Sequence, residues 1–166
     1  MNTSYRFSIV PVQRTHVPAI HAMVRELAQY EKLEHLMRGT AGELECELFG
    51  EQPVIEAVVA LVDETPAAFA LYFHNYSTFL ARKGLYLEDI YVKPAYRRRG
   101  IGRALLIHLA RIAVARGCGR FEWSVLDWNE SAIRFYEGLG ATVMPDWRIV
   151  RVTGEALETL AKSKVA

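Results

Sequence analysis

The stretch from Leu85 to Leu109 constrains the fold more than any other. An apolar run with two acids inside it, Leu85-Tyr86-Leu87-Glu88-Asp89-Ile90-Tyr91-Val92, comes first. Its β-branched and aromatic content predicts a strand. Lys93-Pro94 ends that strand, because proline has no N–H to give a ladder. Arg97-Arg98-Arg99-Gly100-Ile101-Gly102 then opens a helix whose apolar positions Ile101, Leu105, Leu109 and Ile112 recur about once per turn. A strand, a basic glycine turn and a helix in that order make an anion site. The first amides of a helix have no partner within it, and its macrodipole leaves partial positive charge there. Glycine lets the backbone approach a ligand without an intervening Cβ. A diphosphate is the natural guest. A nucleoside-triphosphate loop is excluded, since Gly102 is followed by Arg103-Ala104 rather than Lys-Ser or Lys-Thr. A dinucleotide fingerprint is excluded because Leu105 stands where the third glycine belongs.

The flanking sequence predicts a mixed sheet covered by helices. Tyr5–Val10 alternates as a strand, and Thr15 is placed to cap a helix from His16 to about Tyr30 with apolar face Val17, Ile20, Val24, Leu27 and Ala28. Thr40 and Glu43 have capping-box spacing ahead of a short helix to about Leu48. Val54–Val62 and Ala67–Tyr76 pair across the Asp63–Pro66 turn, and Ser77–Lys83 is a loop. After the organising helix, which stops at Arg116-Gly117, Arg120–Leu126 is a strand and Asn129 opens a helix through Leu139. Ala141–Met144 and Trp147–Val152 read as a closing hairpin, and Thr153 caps a last helix to about Lys162. The expected fold class is α/β, and residues 1–166 read as a single domain.

Composition bounds the partners. A net charge of +1 gives no long-range attraction to nucleic acid, and the Arg97–Arg99 cluster is local. No apolar run approaches the roughly 20 residues of a membrane helix, and Met1-Asn2-Thr3-Ser4 lacks the apolar core of a signal peptide. The two cysteines, Cys46 and Cys118, form no metal spacing, so no metal site is expected. Free thiols and the absence of a leader fit a cytoplasmic protein.

The Arg-x-x-Gly-x-Gly turn resembles the coenzyme A pyrophosphate loop of the GCN5-related N-acetyltransferase (GNAT) superfamily. A second element agrees with it: Asp127-Trp128-Asn129-Glu130-Ser131-Ala132-Ile133-Arg134-Phe135-Tyr136-Glu137-Gly138-Leu139-Gly140-Ala141. Its asparagine at a helix start, aromatic pair and Gly-Ala exit are similar to the superfamily's second cofactor motif. Closer still, Glu26-Leu27-Ala28-Gln29-Tyr30-Glu31, Leu85-Tyr86-Leu87-Glu88-Asp89 and Trp128-Asn129-Glu130-Ser131 resemble the diamine (spermidine/spermine) N1-acetyltransferase family and its thialysine-acetylating relatives. The likeness runs from Phe7 to about Val152.

The resemblance implies a GNAT fold and attack of a primary amine on the thioester of acetyl-CoA as co-substrate. An alkylammonium is only about one part in a thousand neutral near pH 7.4, so a base must take its proton. The family's base matches Glu88, and its proton donor to the leaving thiolate matches Tyr136. Backbone at Ile90, Tyr91 and Val92 would polarise the thioester carbonyl. Arg97, Arg98, Arg99, Gly100, Ile101 and Gly102 would hold the pyrophosphate, and Asn129 the pantetheine arm. Tyr30 and Glu31, with Glu88, match the family's amine-binding residues, and Glu34 would extend an acidic mouth. Trp147 matches a family tryptophan and reads as packing, and Phe135 reads as a core aromatic. The family usually forms homodimers.

Each residue also has a plainer reading. Glu88 could be an edge charge paired with an arginine, Asn129 an ordinary helix cap, and Tyr30-Glu31 a solvated helix end. Asp89 is expected to face away from Glu88 unless the strand bulges there. Arg82 and Lys83 add positive charge in a loop that departs from the polyamine enzymes, which favours a small amine or an amino acid over spermidine or spermine. The alternatives are a protein lysine or N-terminal acetyltransferase, or a non-catalytic acyl-CoA-binding module. The acidic mouth of Glu31, Glu34 and Glu88 favours a compact cation over a chain end, and a module that only binds would not need Glu88 and Tyr136 in register.

Overall fold

The computed structural model describes residues 6–163; Met1 to Tyr5, where no signal peptide and the start of a strand are expected, lie outside them. The described residues divide between Ser124 and Val125 into two compact units.

The first unit is a five-stranded sheet in the order β1-β2-β3-β4-β5. Its strands are β1 (Phe7–Pro11), β2 (Glu56–Val62), β3 (Thr65–Ser77), β4 (Arg82–Val92) and β5 (Phe121–Trp123). The first four pair antiparallel in sequence, and β5 joins β4 in parallel. Two helices, α1 (Val17–Tyr30) and α2 (Ala41–Phe49), separate β1 from β2, and α3 (Ile101–Ala115) connects β4 to β5.

Both faces of the sheet are buried, which is why β2 reads as an almost unbroken apolar run. On one face Val17, Ile20 and Met23 of α1 and Leu48 of α2 pack with Val59, Phe69, Leu71 and Tyr91. On the other, α3 lies against β3 and β4 and buries Ile101, Leu105, Leu106 and Leu109. The helix starts follow the sequence in part. The capping box of α2 forms as expected, with Thr40 Oγ1 accepting from the Glu43 amide at 3.2 Å and the Glu43 carboxylate accepting from the Thr40 amide at 2.8 Å. Thr15 does not cap α1. It lies inside a 3-10 turn, Arg14–His16, and His16 takes the cap position.

Two other expectations need correction. The Ser77–Lys83 segment is no open loop: β3 runs through Ser77, β4 begins at Arg82, and the two join through a tight turn. Leu80 N–H donating to the buried Ser77 Oγ closes it. The strand expected over Arg120–Leu126 is only three residues long.

The decisive irregularity is in β4. Leu71 pairs with Asp89, but its neighbour Tyr72 pairs with Leu87, so Glu88 is an extra residue without a partner on β3. Adjacent residues of β3 face opposite sides, so Asp89 and Leu87 must as well, although only one residue separates them. The β-bulge thus hands the strand from one core to the other. Leu85 and Leu87 lie on the α3 face, while Asp89 and Tyr91 share the α1 face with Leu71 and Phe69.

The second unit contains α4 (Glu130–Glu137) and α5 (Gly154–Lys162). The hairpin expected over Ala141–Met144 and Trp147–Val152 is absent among the described residues; both segments are irregular. Their apolar side chains, Met144, Ile149 and Val150, are exposed. Alternation there reports β-propensity alone, and a strand needs a neighbour to accept its hydrogen bonds.

Candidate active site

The bulge, the short β5 and the α3 turn combine in the first unit. Because β5 ends at Trp123, its ladder with β4 stops at Leu87, and Ile90, Tyr91 and Val92 are paired on the β3 side. Amides and carbonyls on the other edge of that segment have no ladder partner in the described sheet. These are the three residues expected to polarise a thioester carbonyl.

Beyond Val92 the chain turns through Pro94–Tyr96 into the arginine–glycine segment. Arg98 has φ 61° and Gly100 φ 79°, so the backbone curls twice through the left-handed region before α3 begins. The first amide with a helical acceptor is that of Ala104, donating to Gly100 O at 2.9 Å. The amides of Ile101, Gly102 and Arg103 precede it and have no acceptor within the helix. A Cβ added at Gly100 would meet nothing within 4 Å, so the space in front of the turn is open. Ile101 is 1% exposed, its side chain packed into the core under α3. These features fit a diphosphate. Arg98 is exposed, and the Arg99 guanidinium lies 5.5 Å from the Tyr96 ring.

Arg97 has another set of neighbours. Its Nε donates to Val92 O at 2.9 Å, and its guanidinium lies 5.6 Å from the Tyr30 ring and 5.4 Å from the Tyr91 ring. Tyr91 Oη in turn donates to Glu26 Oε2 at 3.0 Å. Burial first, and the Glu26 carboxylate next, push the Tyr91 phenol up.

Three carboxylates gather near the bulge. Burial, then the neighbouring charges of Glu88 and Glu31, push Asp89 up from 3.8 to about 6. Burial also pushes Glu31 up, at the C-terminal cap of α1. Glu88 is exposed at the strand irregularity. Among the described ion pairs none joins it to an arginine. The expectation that Asp89 faces away from this group fails because of the bulge. Asp89 was not among the expected site residues, although two consecutive acids in an otherwise apolar strand mark the place. Glu34 lies in a separate short 3-10 turn and is exposed. Arg82 and Lys83 start β4, with Glu88 five residues on from Lys83, or about 16 Å along an extended strand, so their charge acts at the hairpin end.

In the second unit, Asn129 caps α4, its Oδ1 accepting from the Ala132 amide at 3.3 Å. Tyr136 is half-buried on the same helix, its ring 5.5 Å from that of Phe135. Phe135, expected in a core, is 39% exposed, and Trp147, expected to pack, is 74% exposed.

A β4–β5 ladder that ends at Leu87, followed by a glycine turn with free helix-start amides, is the frame of the site. The chain belongs to the acetyltransferase (GNAT) family, whose model matches residues 20–141. It is 40% identical over 150 residues to the thialysine N-epsilon-acetyltransferase of Sus scrofa, covering 84% of this chain and 88% of that one. It is 34% identical over 196 residues to an L-ornithine N5-acetyltransferase of Arabidopsis thaliana, covering 91% and 86%. Among solved structures, an integron cassette protein from the mobile metagenome of V. cholerae superposes with a TM-score of 0.78 at 26% identity, covering 95% of this chain and 98% of that one. The resemblance to thialysine-acetylating enzymes read from the motifs therefore has a counterpart in relatives of that name.

Proposed function

We propose that the protein transfers the acetyl group of acetyl-CoA to the side-chain amine of a small basic amino acid, of the ornithine or thialysine kind, in a ternary complex. The observation that carries this reading is the cluster of Glu31, Glu88 and Asp89 at the bulge. Three carboxylates in a partly buried setting repel one another, and a bound alkylammonium relieves that repulsion. The relatives' names support an amino acid carrying a second amine. The position of Arg82 and Lys83 far along the strand removes charge repulsion as an argument against polyamines, so the preference for an amino acid rests on those relatives.

In this mechanism the diphosphate sits against the amides of Ile101, Gly102 and the preceding turn. Asn129 bonds the pantetheine arm with its amide N–H, its Oδ1 being engaged in the cap. Glu88 takes a proton from the ammonium, directly or through water. The neutral nitrogen forms its bond to the thioester carbon while backbone amides of Ile90–Val92 stabilise the oxyanion. The C–S bond then breaks, Tyr136 protonates the departing sulfur, and the second proton on the nitrogen leaves to water, from which the Tyr136 phenolate is reprotonated. A phenolic hydroxyl is a suitable general acid for a thiolate leaving group. No covalent enzyme intermediate is needed. The resemblance further supports a homodimer.

The test is thiol release from acetyl-CoA over a panel of L-ornithine, thialysine, putrescine, spermidine, free amino acids without a second amine, and lysine peptides. Turnover should be fastest with the first two. Preference for peptides would sink the small-amine reading, and CoA binding without release by any amine would favour a binding module.

A further inference from the structure

The reading above gives the pyrophosphate turn and the end of α1 to different substrates, and one side chain connects them. Arg97 belongs to the turn by sequence, yet its cation lies between the rings of Tyr30 and Tyr91, each within the roughly 6 Å reach of a cation–π contact. Its Nε is fixed on Val92 O, the last residue of β4. Tyr91 is anchored to α1 by its bond to Glu26, one turn before Tyr30. The path from Glu26 through Tyr91 and Arg97 to Tyr30 therefore closes on α1. A shift of the turn moves the guanidinium, and with it the ring that starts the amine pocket.

We propose that Arg97 is a positioning residue that couples occupation of the cofactor turn to the amine pocket by holding Tyr30 against Tyr91, rather than a ligand of the pyrophosphate. The inference rests on the functional reading above and goes beyond it. A planar guanidinium between two rings is a geometry that lysine cannot reproduce, because an ammonium is a compact point charge. Coupling is reciprocal: if bound cofactor tightens amine binding, bound amine tightens cofactor binding by the same factor.

The experiment uses the full-length protein. CoA affinity is measured by calorimetry without amine. Amine KM and kcat are measured at saturating acetyl-CoA with L-ornithine, or with thialysine should it be faster. We expect Arg97→Ala to raise the amine KM roughly fivefold with kcat within about twofold, the size of one or two cation–π contacts. Tyr30→Leu should weaken CoA binding by a similar factor although Tyr30 is on the amine side, and Tyr30→Phe, which keeps the ring, should not. The double variant should be no worse than Arg97→Ala alone, and Arg97→Lys should fail to restore the amine KM. A different pattern overturns the inference: Arg97→Ala weakens only CoA binding, lysine restores it, and Tyr30→Leu leaves it untouched. Arg97 is then a plain phosphate ligand. An inactive wild-type protein that binds no CoA would overturn the functional reading itself, whereas an active one with independent variants overturns the coupling alone.

Discussion

Asp89→Asn should make the protein more stable and less able to bind its amine. The folded protein holds this carboxyl at about 6, against 3.8 when unperturbed, because burial and the charges of Glu88 and Glu31 disfavour its ionisation. The sign follows from proton binding. Between those two values the folded chain keeps a proton that the unfolded chain has released, so stability falls as pH rises through that window and stays lower above it. A shift of about two units at 1.36 kcal/mol each corresponds to about 3 kcal/mol lost at pH 7.5, and about 1 kcal/mol at pH 4.5. Asparagine has nearly the same shape and no charge to desolvate. Urea denaturation of both proteins at pH 4.5 and 7.5 should show the variant's advantage growing by about 2 kcal/mol between the two. In the wild type, amine KM should rise as pH falls below about 6, and that dependence should weaken in the variant. A stability difference that is the same at both pH values, or a variant less stable at pH 7.5, would refute the burial of an ionising Asp89.

Other expectations concern catalysis and the frame. Glu88→Gln should lower kcat by about 10²-fold or more while CoA affinity measured by calorimetry stays within a few-fold. Tyr136→Phe should reduce turnover far more than CoA affinity, and an unchanged rate removes Tyr136 as the acid. Gly100→Ala places a Cβ in the left-handed region at φ 79° and should cost about 1–2 kcal/mol of stability in thermal unfolding, with weaker CoA binding. Arg116 holds the Glu56 carboxylate with two hydrogen bonds, one of 2.7 Å, and so holds its pKa down. The pair's contribution is present above the ordinary glutamate range and lost as pH falls through the lowered value. Because both side chains are part-exposed, Arg116→Ala should cost only about 1 kcal/mol at pH 7.

What the sequence made legible was whatever depends on local pattern. The strand, proline stop, glycine turn and helix from Leu85 to Leu109 fold as read, because each signal there is a backbone requirement of a particular residue. Thr40 and Glu43 cap α2 for the same reason. The errors came where a partner decides. Ala141–Val152 has strand composition without strand pairing, and Arg120–Leu126 pairs over only three residues. The bulge at Glu88 is a matter of register between two strands, which the two consecutive acids mark without deciding. Asp89 was expected to face away from Glu88 unless the strand bulged there, and it does bulge. Arg97 was assigned from its motif, while the rings that receive it lie far off in the chain or on the preceding strand.

The supernumerary residue in β4 carries a consequence for how such a chain tolerates change. Excising Glu88 would make Leu87 and Asp89 adjacent, and adjacent residues of a regular strand face opposite sides, so each would keep the face and the β3 partner it has now. A chain shortened by that one residue should therefore still fold, with the carboxylate gone. Exchanging the identity of position 88 asks nothing of the ladder either, because no partner on β3 depends on it. The extra residue is thus a place where chemistry can be rewritten without rewriting the frame.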